Sequence, residues 1–277
     1  MTNLTARIIT SVIAAPAVLA VIILFRRIGL SLLVLAAVLA GLRELHRMLK
    51  DSGIEILWPL IILVSCAFSF LSTDLETMGL VLLVSVLAVL LRGLLSTKEP
   101  RKAMTNVAFS LFSIMLLPFL ASFAICLGCT PSPGMGLSDE AGLTLVIIVI
   151  VATWMCDTTA YFFGRRWGRH KALERISPGK TLEGFVAGLI ASILTCLILG
   201  WLMDSLSAGQ AALLGLLLGI FGQLGDLCVS LVKRAANCKD AGSLFPGHGG
   251  VLDRIDSFLF NFPVAFLFFM MVLRNAT

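Results

Sequence analysis

"RIITSVIAAPAVLAVIILFRR", residues 7–27, decides the architecture. From Ile8 to Phe25 it carries no charge, and the run then stops at Arg26 and Arg27. A helix of this length falls within the roughly 17–25 residues that cross a hydrocarbon core. No small-residue cleavage motif follows, so the segment is expected to be a retained first span and not a removed signal peptide.

The rest of the chain repeats this theme. Of 277 residues, 58% are hydrophobic and only 13% charged, and mean hydropathy is +1.02. A soluble domain averages about 25% charged residues, so the chain reads as an all-α polytopic membrane protein with no room for a separate soluble domain. The longest stretches without a strong apolar run are 165–183 and 233–253. Apolar runs interrupted by charge, Gly or Pro predict a bundle of about nine transmembrane helices, near 8–25, 28–45, 57–72, 76–92, 105–127, 142–164, 184–203, 211–232 and 255–273. No internal repeat or low-complexity segment is present. Residues 1–140 are expected to form a membrane scaffold and residues 141–277 the catalytic transmembrane region.

With the N-terminus inside, nine spans place eighteen of the 21 cations on the inner side. Only Arg26, Arg27 and Arg274 fall outside. Such an asymmetry orients a membrane protein with its basic loops in the cytoplasm. The net charge of +5 is thereby a topology signal and an attraction to anionic lipid, and nucleic acid is not an expected partner. The seven cysteines are odd in number and mostly lie in apolar runs, where thiols behave as small packing residues. Cys126 and Cys129 form a lone C-x-x-C, too few ligands for a structural zinc site.

Two acids lie in or beside apolar runs. Asp157 stands in "TWMCDTTAYFFGRR" and Asp226 in "GQLGDLCVSLVKR". An ionised side chain at the centre of a spanning helix costs about 2.5–3.5 kcal/mol on insertion scales, so each needs a partner, water or a metal ion. Gly215, Gly219, Gly222, Asp226, Ser230 and Lys233 fall at steps of four, three, four, four and three, which is one helical stripe. Its small residues allow close helix approach; helix-packing glue is the plainer reading of the stripe. Thr153, Asp157, Tyr161 and Gly164 form a similar stripe.

Two inner loops mix acids with cations. In "RISPGKTLEGF", residues 175–185, Ser177 before Pro178 predicts a helix N-cap with proline at the first helical position. The helix start and Lys180 would then favour phosphate, with Glu183 on the same side. In residues 233–257, Lys233 and Arg234 end a helix, and Gly242, Pro246, Gly247, Gly249 and Gly250 exclude regular structure while letting backbone approach a ligand. "LDRIDS" then begins the last helix, with Asp253, Asp256 and Ser257 at i, i+3 and i+4. Two carboxylates on one face suit a hard divalent cation, and magnesium is commonly held by few carboxylates plus substrate phosphates. His248 either touches phosphate or braces the glycine turn. Acids for a metal and cations for phosphates at one membrane face suit a water-soluble polyphosphate meeting a lipid headgroup.

"SLVKRAANCKDAGSLFPGHGGVLDRID", residues 230–256, resembles the signature of the phosphatidate cytidylyltransferases, the CDP-diacylglycerol synthases. Its fixed positions are matched by Ser230, Lys233, Arg234, Lys239, Asp240, Pro246, His248, Gly249, Gly250, Asp253, Arg254 and Asp256. "CDTTAYFFG", "SPGKTLEG" and "GQLGDLCVS" look like further blocks of that family. The resemblance covers the C-terminal 45% or so of the chain and is highly specific, unlike a single short motif; the first 140 residues match only as apolar spans. It implies that CTP and phosphatidate give CDP-diacylglycerol and diphosphate, in a homodimer of the bacterial inner membrane with its site open to the cytoplasm. It also implies Mg2+, with K+ as a candidate second ion. On this reading Asp226 and Asp253, then Asp256 and Asp157, are the expected metal ligands. Lys180, Lys233, Arg234, Lys239 and Arg254 would hold phosphates, with Ser177, Ser230, Gly249 and Gly250 at the substrates. Asp240 and Glu183 would orient cations or bind the second ion. The rivals are another CTP-dependent membrane lipid transferase or kinase and, from a different class, an ion-coupled transporter. The transporter would require related halves and charges near mid-bilayer, and neither is visible in the sequence.

Overall fold

The computed structural model describes residues 3–129, 141–239, 241–242 and 250–273. Asp240, Pro246, His248 and Gly249 therefore lie outside the described residues, as does Arg274. Nine α-helices are described: α1 (Asn3–Asp51), α2 (Trp58–Leu71), α3 (Leu75–Leu94), α4 (Pro100–Ile114), α5 (Leu120–Cys129), α6 (Ala141–Trp167), α7 (Leu182–Leu202), α8 (Ala208–Ala235) and α9 (Leu252–Phe268). Each expected apolar segment coincides with helix to within a few residues. Among the described residues, seven helices are long and apolar enough to cross a membrane.

The correspondence is not one helix per segment. The first two segments share α1, which is broken at Arg26, where the backbone turns to φ 49 and ψ −130. Positive φ is unfavourable for a side chain with a Cβ, and the break falls at the Arg26–Arg27 boundary that the charge pattern marks. The 105–127 segment is α4 and α5 joined by a π-helical turn, Met115–Phe119, around Pro118. Proline has no N–H to give the helical ladder, and widening the turn accommodates that loss. α2 has 14 residues, about 21 Å of rise, which is short for a full crossing. α3 starts at a capping box: Asp74 accepts from the Thr77 amide at 2.9 Å, and Thr77 accepts from the Asp74 amide at 3.4 Å.

The chain forms two compact units. One comprises Met1–Cys126 with Ala235–Ile255; the other comprises Leu127–Arg234 with Asp256–Thr277. Ala235–Ile255 thus groups with the N-terminal helices, although it runs from the last residue of α8 into the first turn of α9.

In the second unit, glycines set the helix spacing. A Cβ on Gly188 of α7 would lie 2.9 Å from the Cys156 carbonyl oxygen of α6, and one on Gly215 of α8 would lie 2.5 Å from Ile193 Cα of α7. Two to three turns further along α8, Gly222 faces the Asn261 amide of α9 and Gly225 faces the Asp256 carbonyl. The small-residue stripe of α8 is therefore a seam against α7 at one end and α9 at the other. We expect Gly215→Leu to separate α7 from α8 and to lower the thermal midpoint of detergent-purified protein by several degrees, because backbone blocks the added side chain. An unchanged midpoint would contradict this packing.

Between α6 and α7 stand two short antiparallel strands, β1 (Lys171–Leu173) and β2 (Ser177–Thr181). Here the sequence expectation fails: Ser177 and Pro178 are in an extended strand, not at a helix start. Thr181 is the N-cap of α7, with extended φ −123 and ψ 153, and its hydroxyl accepts from the Gly184 amide at 3.2 Å. Pro178 is compatible with this outcome, since its fixed φ and missing N–H suit the edge of a two-stranded ribbon. The helix starts later than Ser177–Pro178 suggested, at Leu182.

Candidate functional site

In the second unit the sequence-predicted residues converge from four elements. Lys180, at the end of β2, sends Nζ to Asp226 Oδ2 of α8 at 2.8 Å and to the Gln223 carbonyl oxygen at 3.3 Å. Ser230, one turn further along α8, donates to Asp226 Oδ1 at 3.3 Å. Both charged side chains of this pair keep some exposure, 25% for Lys180 and 31% for Asp226, so they remain accessible to a ligand. Gln223 anchors the arrangement by donating to the Gly219 and Phe185 carbonyls at 2.8 and 3.2 Å. The second of these bonds ties α8 to α7 beside the point where Lys180 arrives.

Asp256 of α9 is buried at 5% exposure and lies within electrostatic reach of Asp226, Asp157 and Lys233. Its Oδ1 accepts from the Ser257 amide at 2.8 Å. Ser257 donates its hydroxyl to Asp157 Oδ1 of α6 at 3.4 Å. Lys233 is itself 7% exposed. Below this layer, Asn261 Nδ2 donates to Thr153 Oγ1 at 2.8 Å, which fixes α9 against α6. The unit thus gathers three aspartates and two lysines in and beside apolar helices. Arg234 Nε donates to the Ile176 carbonyl at 3.1 Å and so holds the hairpin that delivers Lys180.

Other expected site residues are placed differently. Glu183 accepts from the His170 amide at 3.2 and 3.3 Å and pairs with His170 Nδ1 at 2.7 Å. It closes the base of the hairpin. Tyr161 is exposed and its hydroxyl accepts from Arg165. Ser177 is a strand residue. Lys239, Asp253, Arg254 and Gly250 belong to the first unit. There Asp253 Oδ2 accepts from the Ala241 amide at 3.2 Å and the Gly250 amide at 3.0 Å. The cysteines are thiols rather than disulfides.

Sequence reasoning missed Glu44 altogether. It is 5% exposed, and its two carboxylate oxygens accept from the Val251 and Leu252 amides at 2.9 Å each. It also missed His170, Gln223 and Asn261. The signal for Gln223 and Asn261 was their place one turn from Asp226 and Ser257 on otherwise apolar helices.

The donor set bears on the metal that the resemblance implies. Asp157, Asp226 and Asp256 offer oxygen ligands only, which suits a hard divalent ion and not zinc. Among the described residues, no three or more acidic, His or Cys side chains are placed to hold a metal ion by themselves. Magnesium seldom needs such a set, since phosphates and water complete its octahedron. The residues fit an ion shared with a polyphosphate.

The model of the Cytidylyltransferase family matches residues 5–272. "Uncharacterized protein YnbB" of Escherichia coli (strain K12) is 38% identical over 180 residues, covering 65% of this chain and 59% of that protein. "Phosphatidate cytidylyltransferase" of Staphylococcus haemolyticus is 42% identical over 147 residues, 51% of this chain and 56% of the relative. The protein of that name from Staphylococcus epidermidis is 37% identical over 180 residues, 63% and 67% respectively. The chain thus spans little more than half the length of the first two relatives.

Proposed function

Since this chain belongs to the cytidylyltransferase family, we propose that it transfers the cytidylyl group of CTP to phosphatidate, giving CDP-diacylglycerol and diphosphate in phospholipid synthesis. The observation that carries this reading is the cluster of Asp157, Asp226 and Asp256 with Lys180 and Lys233 in one compact unit. A polyphosphate needs both cations and ligands for its counter-ion, and a lipid headgroup substrate suits apolar helices around them.

The chemistry asks little proton transfer of the protein. A phosphatidate oxygen is already ionised near neutral pH. It attacks the α-phosphorus of CTP, the bond to the bridging oxygen breaks, and diphosphate leaves with the electron pair. The chain's task is to position the two phosphates and to neutralise charge. Lys180 and Lys233 hold phosphate oxygens, and Arg234 fixes the hairpin that aims Lys180. Lys239 and Arg254 join them on the strength of the signature, as do Asp253 as a ligand and Asp240 and His248. Asp226 and Asp256, with Asp157 beside them, would hold magnesium, which when bound draws negative charge from the phosphates; K+ is the proposed second ion. Membrane lipids and a second copy of the chain complete the proposed partners.

The 18-to-3 cation split motivates a cytoplasmic site in a bacterial inner membrane. Both parts are tested together. Purified protein in sealed vesicles of both orientations is given labelled CTP, phosphatidate and magnesium. CDP-lipid with diphosphate release is expected, and only where the basic loops face the added CTP. Absence of CDP-lipid in permeabilised vesicles refutes the reaction. Equal use of CTP from the opposite face refutes the orientation.

A further inference from the structure

We propose that Glu44, a carboxylate of the N-terminal helix α1, is a positioning residue for CTP use: it fixes the backbone of Gly250–Leu252 and with it the start of α9 that carries Asp253 and Arg254. This rests on the transferase reading above.

The first turn of any α-helix leaves amide donors without helical partners. In α9 these are not met by a local Ser, Thr or Asp side chain alone. Val251 and Leu252 each donate to one oxygen of Glu44, at 2.9 Å, across more than 200 residues of sequence. The carboxylate is buried, and a negative charge at a helix N-terminus is favourably placed against the helix dipole. Such a contact fixes two consecutive amides at once, as a fork.

The neighbours of Glu44 show that the fit is close. A Cβ on Gly242 would lie 2.7 Å from Glu44 Oε1, and one on Gly250 would overlap the other oxygen outright. Gly250 also donates to Asp253 Oδ2, which holds Ala241 in addition. Glu44 and Asp253 therefore hold the backbone of Ala241 and of Gly250–Leu252. The remainder of that α1 face makes the same contact. Gly41, one turn earlier, meets Ile255, and Met48, one turn later, meets Cys238 Sγ at 3.1 Å. Helical spacing puts Gly41, Glu44 and Met48 on one side of α1. A helix that sequence reading assigned to scaffolding thus contacts Cys238, Gly242 and the stretch from Gly250 to Ile255.

A side chain that only stabilised the fold would lower kcat through the amount of active protein and leave the KM of both substrates unchanged. A positioning residue changes the parameters of one substrate. Glu44→Gln keeps the size but turns one oxygen acceptor into a donor facing an amide N–H. It is expected to lower kcat/KM for CTP roughly 100-fold, the scale of an ångström-sized misplacement, with the KM for CTP raised and the KM for phosphatidate little changed. Glu44→Asp, which keeps the charge, is expected to recover part of that loss. Hydrogen exchange at the Val251 and Leu252 amides is expected to speed up in Glu44→Gln, while exchange in α7 stays as in the wild type. Should Glu44→Gln not be recovered folded, Gly250→Ala and the Gly250→Ala/Glu44→Asp double variant decide. The shorter acid makes room for the added methyl, so the double loss is expected to be smaller than the product of the single losses. Wild-type CTP kinetics in Glu44→Gln, unaltered exchange at residues 251–252, or independent effects in the double variant would overturn the inference. A wild-type protein with no cytidylyl transfer would instead sink the functional reading, and the exchange data would still decide whether Glu44 is the anchor.

Discussion

Asp226→Asn is expected to reduce turnover by roughly 1,000-fold, the scale seen when one electrostatic group aimed at developing charge is removed. Asp226 is the acid that faces both kinds of proposed partner. One oxygen takes Lys180 at 2.8 Å and the other takes Ser230 at 3.3 Å. Asparagine is nearly isosteric and keeps one oxygen acceptor, so the loss would be of charge and not of packing. Stability should change little: the ion pair is partly exposed, and pairs of that kind contribute about 0–1 kcal/mol. The measurement is kcat at saturating and limiting magnesium, beside the thermal midpoint in detergent. Near-wild-type turnover at limiting magnesium removes Asp226 from the proposed metal site. A large fall in the midpoint assigns it to the fold instead.

The parts of the molecule that were legible in sequence are those set by neighbouring residues. Apolar runs bounded by charge marked the helices because burial in a bilayer requires internally bonded backbone over about 20 residues. The glycine stripe of α8 marked its packing seam because helical spacing is local. The same logic brought Asp157 and Asp226 forward, since acids on apolar helices carry an insertion cost, while Asp256 was marked by its i, i+3 spacing from Asp253 at the start of the last helix. Local competition was harder to judge. Ser177 before Pro178 and Thr181 both have the chemistry of an N-cap, and only the strand pairing with Lys171–Leu173 decides for Thr181. Glu44 was not legible at all. It sits in "GLRELHRMLK" among flanking charges that resemble an ordinary inner helix end, and its partners are backbone amides of residues 251 and 252. Backbone leaves no chemical mark in a sequence, so no spacing rule connects position 44 with them. The break at Arg26 was marked by charge, and the short length of α2 by an apolar run, 57–72, that exceeds the helix by only one residue at each end.

Asp256→Asn should abolish CDP-lipid formation and at the same time make the magnesium-free protein more stable. Asp256 is 5% exposed and within reach of the charges of Asp226 and Asp157, with Lys233 as the nearby cation. Like charges gathered around one buried carboxyl oppose one another, and a chain selected only for stability has no reason to keep them. The carboxamide introduced at this position would keep an oxygen for the Ser257 N–H, which Asp256 Oδ1 accepts at 2.8 Å, so the local hydrogen bond survives the change. Replacing this ionisable carboxyl with a neutral carboxamide should therefore relieve repulsion in the site. The thermal midpoint without metal is then expected to rise by several degrees. Added magnesium should raise the wild-type midpoint, because a ligand that binds only the folded state stabilises it increasingly with its concentration. In Asp256→Asn that increment should shrink towards zero. Sites that trade stability for function show this pairing of a gained midpoint and a lost activity. If the variant is destabilised without metal, the three aspartates are not in repulsion and Asp256 is a structural acid. If it is stabilised yet still turns over CTP, the metal is held without Asp256, and Asp226 with Asp157 must carry it.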